Sequence, residues 1–348
     1  MKTVNHAIMA KVRAMYGRRL KRGDYEALMA CRSVDEVAKA LTQFSSYQSI
    51  AAYLTEGTIH RGYFESLLRR QYFNEFLRLY QYLSRTDKKL VSSVVIHYEI
   101  TEILYCLKEG RTKAGFVNYR NELIDYCSNL DIDALSRAGG HEEVLQALSG
   151  SVYEELLRPY LQQDEIRYLD AENVLYSYYY RQSIQLYQKL LPREQRKEIR
   201  QLLGIQIDFS NIARVLRLRK YFNLEPGQIV PYLLTPYYRL DDAVLAQLME
   251  GAEDGDWEQV LKGTVYRDIL KPHPHPHMEE NMDEILEEVT RRLIHFSQNA
   301  PTLVLAYLKT KDIEMKNVVT LIESKRYGLS DRETWLHLIG APDRREEA

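Results

Sequence analysis

The chain reads as an all-α protein, and three observations predict it. Apolar residues recur at three-to-four spacing along most of its length. Alternation bounded by turn residues, the mark of strands, is scarce. Prolines are few and clustered, with Pro226, Pro231 and Pro236 in one group and Pro272, Pro274 and Pro276 in another, so long stretches carry no breaker.

Helical periodicity covers 1–22, 61–84, 88–109, 171–191 and 279–298. The first of these places Ile8, Met9, Val12, Met15 and Leu20 on an apolar stripe. Lys11, Arg13, Arg18, Arg19, Lys21 and Arg22 form its basic side. The simplest reading is a core-packed helix with a solvated basic face. The sharper one places Arg18, Arg19 and Arg22 beside an acidic partner or an anionic membrane surface. The segment 171–191 holds Tyr176, Tyr178, Tyr179, Tyr180 and Tyr187 in a chain with 27 tyrosines. Tyrosine joins an apolar body to a polar tip, which suits wide helix packing with hydroxyls at the edge. A base-stacking platform is not expected, since no basic residue interleaves Tyr176, Tyr178, Tyr179 and Tyr180.

Within this pattern one segment is written three times. Glu99-Ile100-Thr101-Glu102-Ile103, Asp208-Phe209-Ser210-Asn211-Ile212 and Glu314-Met315-Lys316-Asn317-Val318 share an acid, a large apolar residue, a polar one, Glu or Asn, and Ile or Val. Leu107, Leu216 and Ile322 follow, then Arg111, Lys220 and Arg326. Two markers precede each copy in the same order. Asp24, Asp131 and Asp241 each open an Asp-x-x-Ala/Val-Leu stretch, and Tyr47, Tyr153 and Tyr266 each close a second run. The interval is too long for a helical solenoid and fits repetition of a small domain. The expected units are 1–130 (N-terminal helix plus first helical repeat), 131–240 and 241–348. Phe209, Ile212, Ala213 and Leu216 fall on one helical face. With an acid at the start and a base three turns on, the charges are expected to stabilise helix ends rather than bind ligands.

Composition narrows the function. Of 348 residues 45% are hydrophobic and 28% charged, as in a soluble globular protein with several cores. The net charge of −2 lacks the basic surplus of a nucleic-acid binder. Cys31, Cys106 and Cys127 make neither a disulfide framework nor a metal spacing, which suits a reducing compartment. No signal peptide is expected, and no run is expected to span a membrane. The sequence holds no phosphate-binding loop, no Gly-x-Ser-x-Gly elbow, no His-Glu-x-x-His and no Cys-x-x-Cys. One stretch has metal-ligand character: His273, His275 and His277 alternate with prolines ahead of Glu279 and Glu280. The prolines suit an exposed stiff linker, and only the third unit has the stretch. Little or adventitious metal binding is expected.

The opening Ala10-Lys11-Val12-Arg13-Ala14-Met15 with Arg19-Leu20 and Asp24-Tyr25-x-x-Leu28 resembles the start of the C subunit of archaeal and bacterial V-type (A-type) ATPases, the equivalent of the eukaryotic d subunit. Asp208-Phe209-x-Asn211-Ile212-x-x-x-Leu216-Arg217-x-x-Lys220 resembles that family's recurring helix. The resemblance covers the whole chain through its length, triplication and lack of nucleotide motifs. It implies three similar helical domains in a pseudo-threefold funnel. It implies a rotor and central-stalk part at the cytoplasmic face of the cell membrane, peripheral to it, seated on the proteolipid ring and receiving the D and F subunits of the shaft. Catalytic residues, cofactors and metals are not implied, nor is nucleic acid. Two other readings remain open: a cytosolic helical scaffold for proteins, and a metal-dependent enzyme centred on His273, His275 and His277. Proton or sodium specificity, and the direction of ATP chemistry, do not lie in this chain.

Overall fold

The computed structural model describes residues 2–54, 61–109, 128, 130–162, 168–251, 257–267 and 278–340. Among them are seventeen α-helices and no strand, so the chain is all-α as its periodicity predicts. In order these are α1 Lys2–Tyr16, α2 Arg22–Met29, α3 Val34–Leu41, α4 Arg61–Tyr80, α5 Arg85–Val91 and α6 Ser93–Glu109. Then come α7 Ile132–Arg137, α8 His141–Ala147, α9 Val152–Leu161, α10 Tyr168–Leu190, α11 Arg196–Phe222 and α12 Pro226–Ile229. The last are α13 Asp242–Gly251, α14 Trp257–Lys262, α15 Met278–Phe296, α16 Ala300–Tyr327 and α17 Asp331–His337.

Local chemistry sets many of the boundaries. Ser33, Ser84, Ser151 and Ser330 each accept a backbone N–H three residues on, supplying a helix with its first cap. Asn223 and Gly328 end α11 and α16 in the left-handed region, at φ 55° and 69°. That is the conformation a helix C-terminus favours and that Gly and Asn tolerate. The predicted helix over 1–22 ends at Tyr16 instead. Gly17 closes a turn onto Arg13, and α2 restarts at Arg22. Gly204 sits mid-helix in α11 because a Cβ there would lie 2.4 Å from the Tyr238 ring.

The repeated segments lie on α6, α11 and α16. α16 packs against α1, α4 and α15, α11 against α10, α13 and α15, and α6 against α10. The expectation that the acids mark helix N-terminal ends is overturned. Asp208 and Glu314 stand in mid-helix, and all three acids are buried. Each instead accepts a hydrogen bond from one of the three Tyr markers. Tyr153 donates to Glu99 at 2.6 Å, Tyr266 to Asp208 at 2.5 Å and Tyr47 to Glu314 at 2.6 Å. Every Tyr therefore bonds the acid before it in the repeat order, and the first Tyr bonds the last acid. The basic half of the expectation holds where it is described: Lys220 and Arg326 occupy the last turns of α11 and α16. Arg111 lies outside the described residues.

The sequence register of the Asp marker also shifts. Asp131 and Asp241 are helix starts, each accepting the N–H three residues later. Asp24 instead lies inside α2 and accepts from Lys21 N–H, the residue at the helix start. Tyr25, Leu135 and Leu245 then fall together as the buried residues four beyond each start. Buried residues from Leu20 to Ile50 and from Phe64 to Leu68 share their core with Val318, Leu321, Ile322 and Leu338, so α2, α3 and the start of α4 pack on the end of the chain.

One described segment, 85–108, does reach the length and apolar content of a membrane span, contrary to expectation. It is divided by Ser92, and Leu90, Val91, Val95, Ile100, Ile103 and Leu104 are buried in the protein core. Core helices routinely reach such apolar content.

Replacing each Tyr by Phe removes one donor from a buried carboxylate. Tyr153→Phe is expected to cost the most, about 1.5–3 kcal/mol of unfolding free energy, because Ser128 alone then remains as a described donor to Glu99. Tyr266→Phe is expected to cost least, since the N–H groups of Tyr238, Arg239 and Leu240 still serve Asp208. Urea unfolding of the three variants tests the order, and equal losses would contradict it.

Candidate functional site

The three repeated helices share a cavity of about 550 Å³. Its wall uses the same positions of each. Leu90, Ile199 and Leu305 lie nine residues before the three acids, and Ser93, Leu202 and Leu308 lie six before. Val94, Leu203 and Lys309 lie five before, and His97, Gln206 and Asp312 two before. Leu90 belongs to α5, which α6 follows after Ser92 alone. Such agreement follows if three equivalent helices present the same side toward one central space. Helical spacing does this, since these positions fall on one face. Tyr72, Phe73, Tyr98, Tyr179 and Tyr187 add an aromatic lining.

Equivalent positions carry different chemistry. The first wall offers Val94, His97 and Thr101, and the second Leu203 and Gln206. The third offers Lys309, Asp312 and Lys316 from α16, with Asp283 from α15 beside them. Lys309 lies 2.8 Å from Asp283 and 2.9 Å from Asp312. Lys316 lies 2.6 Å from Asp283 and 3.6 Å from Asp312. Two ammonium groups and two carboxylates thus form a closed square. Burial opposes the charge on Lys309, but Asp283 and Asp312 overcome it and hold its pKa above the usual lysine value. Burial likewise works against the Asp312 carboxylate, and Lys309 and Lys316 overcome that, holding its pKa below the usual range.

His97 presents its ring to the cavity, where water reaches it, with the Tyr179 ring 5.2 Å away and the Tyr176 ring 6.1 Å away. Desolvation by the cavity walls, with Lys309 and Lys316 nearby, pushes its pKa down to about 4 against the pull of Asp312. The ring is therefore neutral at physiological pH.

The basic residues singled out from sequence are only partly open. Arg18 is exposed on the turn after α1. Arg19 stacks on the Tyr16 ring at 4.1 Å, and Arg22 pairs with Glu26 at 2.9 Å. Within α1 itself, Arg13 donates to the carbonyls of Ile294 and Ser297 at the end of α15, and Lys11 donates to Arg78 O. Much of the basic side is thus engaged within the protein. His273, His275 and His277 lie outside the described residues, and among those described no group of His, Cys, Asp and Glu has metal-site geometry. Sequence reasoning missed the cavity residues. The signal lay two residues upstream of each acid, where His97, Gln206 and Asp312 put a polar residue at one register position.

A histidine depressed on folding binds fewer protons than the unfolded chain between its folded and ordinary values. Its contribution to stability is present above about pH 6.5 and is lost as pH falls toward about 4. The melting temperature of His97→Gln is therefore expected to fall less than that of the native chain over this window. Parallel curves would show that His97 is not depressed.

Comparison with known proteins places this geometry. The model of the ATP synthase (C/AC39) subunit family matches residues 8–334. The C subunit of the A-type ATP synthase of Methanosarcina mazei is 23% identical over 331 residues, covering 93% of this chain and 89% of that protein. The corresponding C subunits of Methanobrevibacter smithii and Pyrococcus horikoshii are 26% and 29% identical over shorter stretches. Those stretches cover 56% of this chain in each case, and 53% and 54% of the two relatives, about half their length. With its match running from α1 into α17, the chain belongs to the ATP synthase (C/AC39) subunit family.

Proposed function

We propose that this chain is a non-catalytic rotor part of an A-type or V-type ATPase, seated between the central shaft and the membrane ring. The observation that carries the reading is the cavity walled in one register by the three repeated helices, in a chain of the C/AC39 family. A socket of this kind suits the end of a central shaft, here the D and F subunits. Densely packed helices resist twist, which torque transmission requires. The opposite contact is the proteolipid ring, which puts the chain at the cytoplasmic face of the membrane without crossing it. The turn bearing Arg18, Arg19 and Arg22 belongs to this proposal as a contact to the membrane sector. Its bases would each contribute about 1 kcal/mol near an anionic surface, falling with salt.

Omitting the chain from a reconstituted complex is expected to leave ATP hydrolysis by the head running while ion transport stops. The purified chain is expected to bind no nucleotide by calorimetry. Loss of hydrolysis by the head itself, or stoichiometric nucleotide binding to this chain, would overturn the reading. Reversing the charges at Arg18, Arg19 and Arg22 is expected to weaken attachment to the membrane sector in a salt-dependent way, at unchanged melting temperature. Normal attachment at every salt concentration would remove these residues from the interface.

A further inference from the structure

We propose that the central cavity accepts its partner in one rotational setting, selected by the charged wall of α16. The inference rests on the socket reading above and names what the socket demands of its occupant. The occupant is a helical end that is apolar on two sides and polar on the third.

Three walls built on one register offer a docking end three settings related by rotation. Packing alone distinguishes them poorly, because the apolar positions Leu90, Ile199 and Leu305 are so similar. The polar layers differ sharply. Val94, Leu203 and Lys309 occupy one register position of the lining, and His97, Gln206 and Asp312 another. At these positions α6 and α11 thus carry no ion pair, although Glu65 and Arg69 of α4 also line the cavity, and a full ion-pair square lines the third wall.

In the open cavity water reaches parts of this square, notably Lys316, whose side chain is 43% exposed. An entering helix end expels that water. With a polar flank against α16, lost hydrogen bonds to water are replaced. With an apolar flank there, the charges lose solvation and gain nothing. The square therefore acts mainly by rejecting two of the three settings, and specificity of this kind needs no gain in overall affinity. Against the Val94 and Leu203 walls a polar flank would in turn meet few partners.

The test uses the full chain and the D and F subunits of the shaft. One spin label goes on the shaft end and one at the exposed Tyr82, each through a non-natural amino acid so that the native cysteines remain. The native chain is expected to give a single inter-label distance, one setting exceeding any other by at least tenfold. The variant Lys309→Leu with Asp312→Gln writes the residues of the second wall, Leu203 and Gln206, onto the third. It leaves Lys316 to neutralise Asp283. It is expected to bind the shaft within about tenfold of the native affinity, or about 1.4 kcal/mol, but to show two or more distances. Lys316→Ser, which copies Ser210 at the more exposed position, is expected to broaden the distribution in the same direction and serves if the double variant does not fold. A single unchanged distance in the folded variants overturns the proposal. So does complete loss of binding by a folded variant, because the square would then supply affinity rather than orientation. If the native chain binds the shaft in several settings, the key is wrong and the socket stands. If it does not bind the shaft, the socket reading fails, and the key with it.

Discussion

A carboxylate buried in the middle of a helix needs donors from elsewhere in the chain, and three such carboxylates organise this protein. Neighbouring backbone groups in a helix are already paired, so an acid at Glu99, Asp208 or Glu314 finds no backbone donor in its own turn. Asp208 shows the extent of the demand. It accepts from Tyr266 and from the N–H groups of Tyr238, Arg239 and Leu240, drawing in the chain on both sides of α13. Burial still raises its pKa, even though all these donors work to lower it. Leaving such a group without donors costs more than forming the bonds gains, so the acids act as strict conditions on how the next segment docks. Their neighbours add a second condition. Asn211 exchanges two hydrogen bonds with Leu234, and Asn317 exchanges two with Ile339.

The same condition closes the chain on itself. Glu314 finds its donors at Leu20 N–H and Tyr47, almost three hundred residues away in sequence. This junction is more charged than the other two. Lys311 bonds Glu314 and lies 4.0 Å from Glu75, which in turn accepts from Tyr307 and Gln71. Buried ion pairs of this kind seldom add stability over apolar packing, but removing one partner strands the other. Their effect here is to reject imperfect docking of residues 20–54 on α16. A junction formed between the two ends of a long chain has only noncovalent means of holding its register.

The sequence made much of the fold legible and less of the site. Helix periodicity located α4, α6, α10 and α15 within a few residues, because each carries an unbroken apolar stripe. The repeated segment was visible because an acid, a Glu or Asn three places on, and a Tyr recur at set intervals. Their role was misread because an acid ahead of a base in a helix has a local electrostatic explanation. The true explanation is a tyrosine some fifty residues downstream, or far upstream for Glu314. Asp24 misled for a similar reason. Its side chain serves the start of α2 from inside the helix, while Asp131 and Asp241 serve theirs from the cap, so identical letters hide a shift of three residues. The cavity was missed because its walls are defined by facing helices, which periodicity along one helix does not reveal.

Repetition explains why the distinctive chemistry sits where it does. Core positions of the three helices meet near-identical surroundings and stay interchangeable: Ile100 and Phe209, Ile103 and Ile212, and Val318 are all buried apolar residues. The acid and the Tyr are constrained by each other and stay fixed in kind. Only side chains facing the shared space are free of both conditions, since water or an occupant meets them there. That is where His97, Gln206 and Asp312 differ, and where Lys309 replaces Val94 and Leu203. Asp283 completes the pattern. It is a nearly inaccessible carboxylate on α15, and its described partners at that end are the two lysines unique to the third wall. A buried acid there is tolerable only with those lysines in place, so the charged wall is a linked set spanning two helices. The shared register of the walls and the differences between them thus sit on the same three helices. The repeated helices supply walls in one register, and the positions that face the shared space carry the differences.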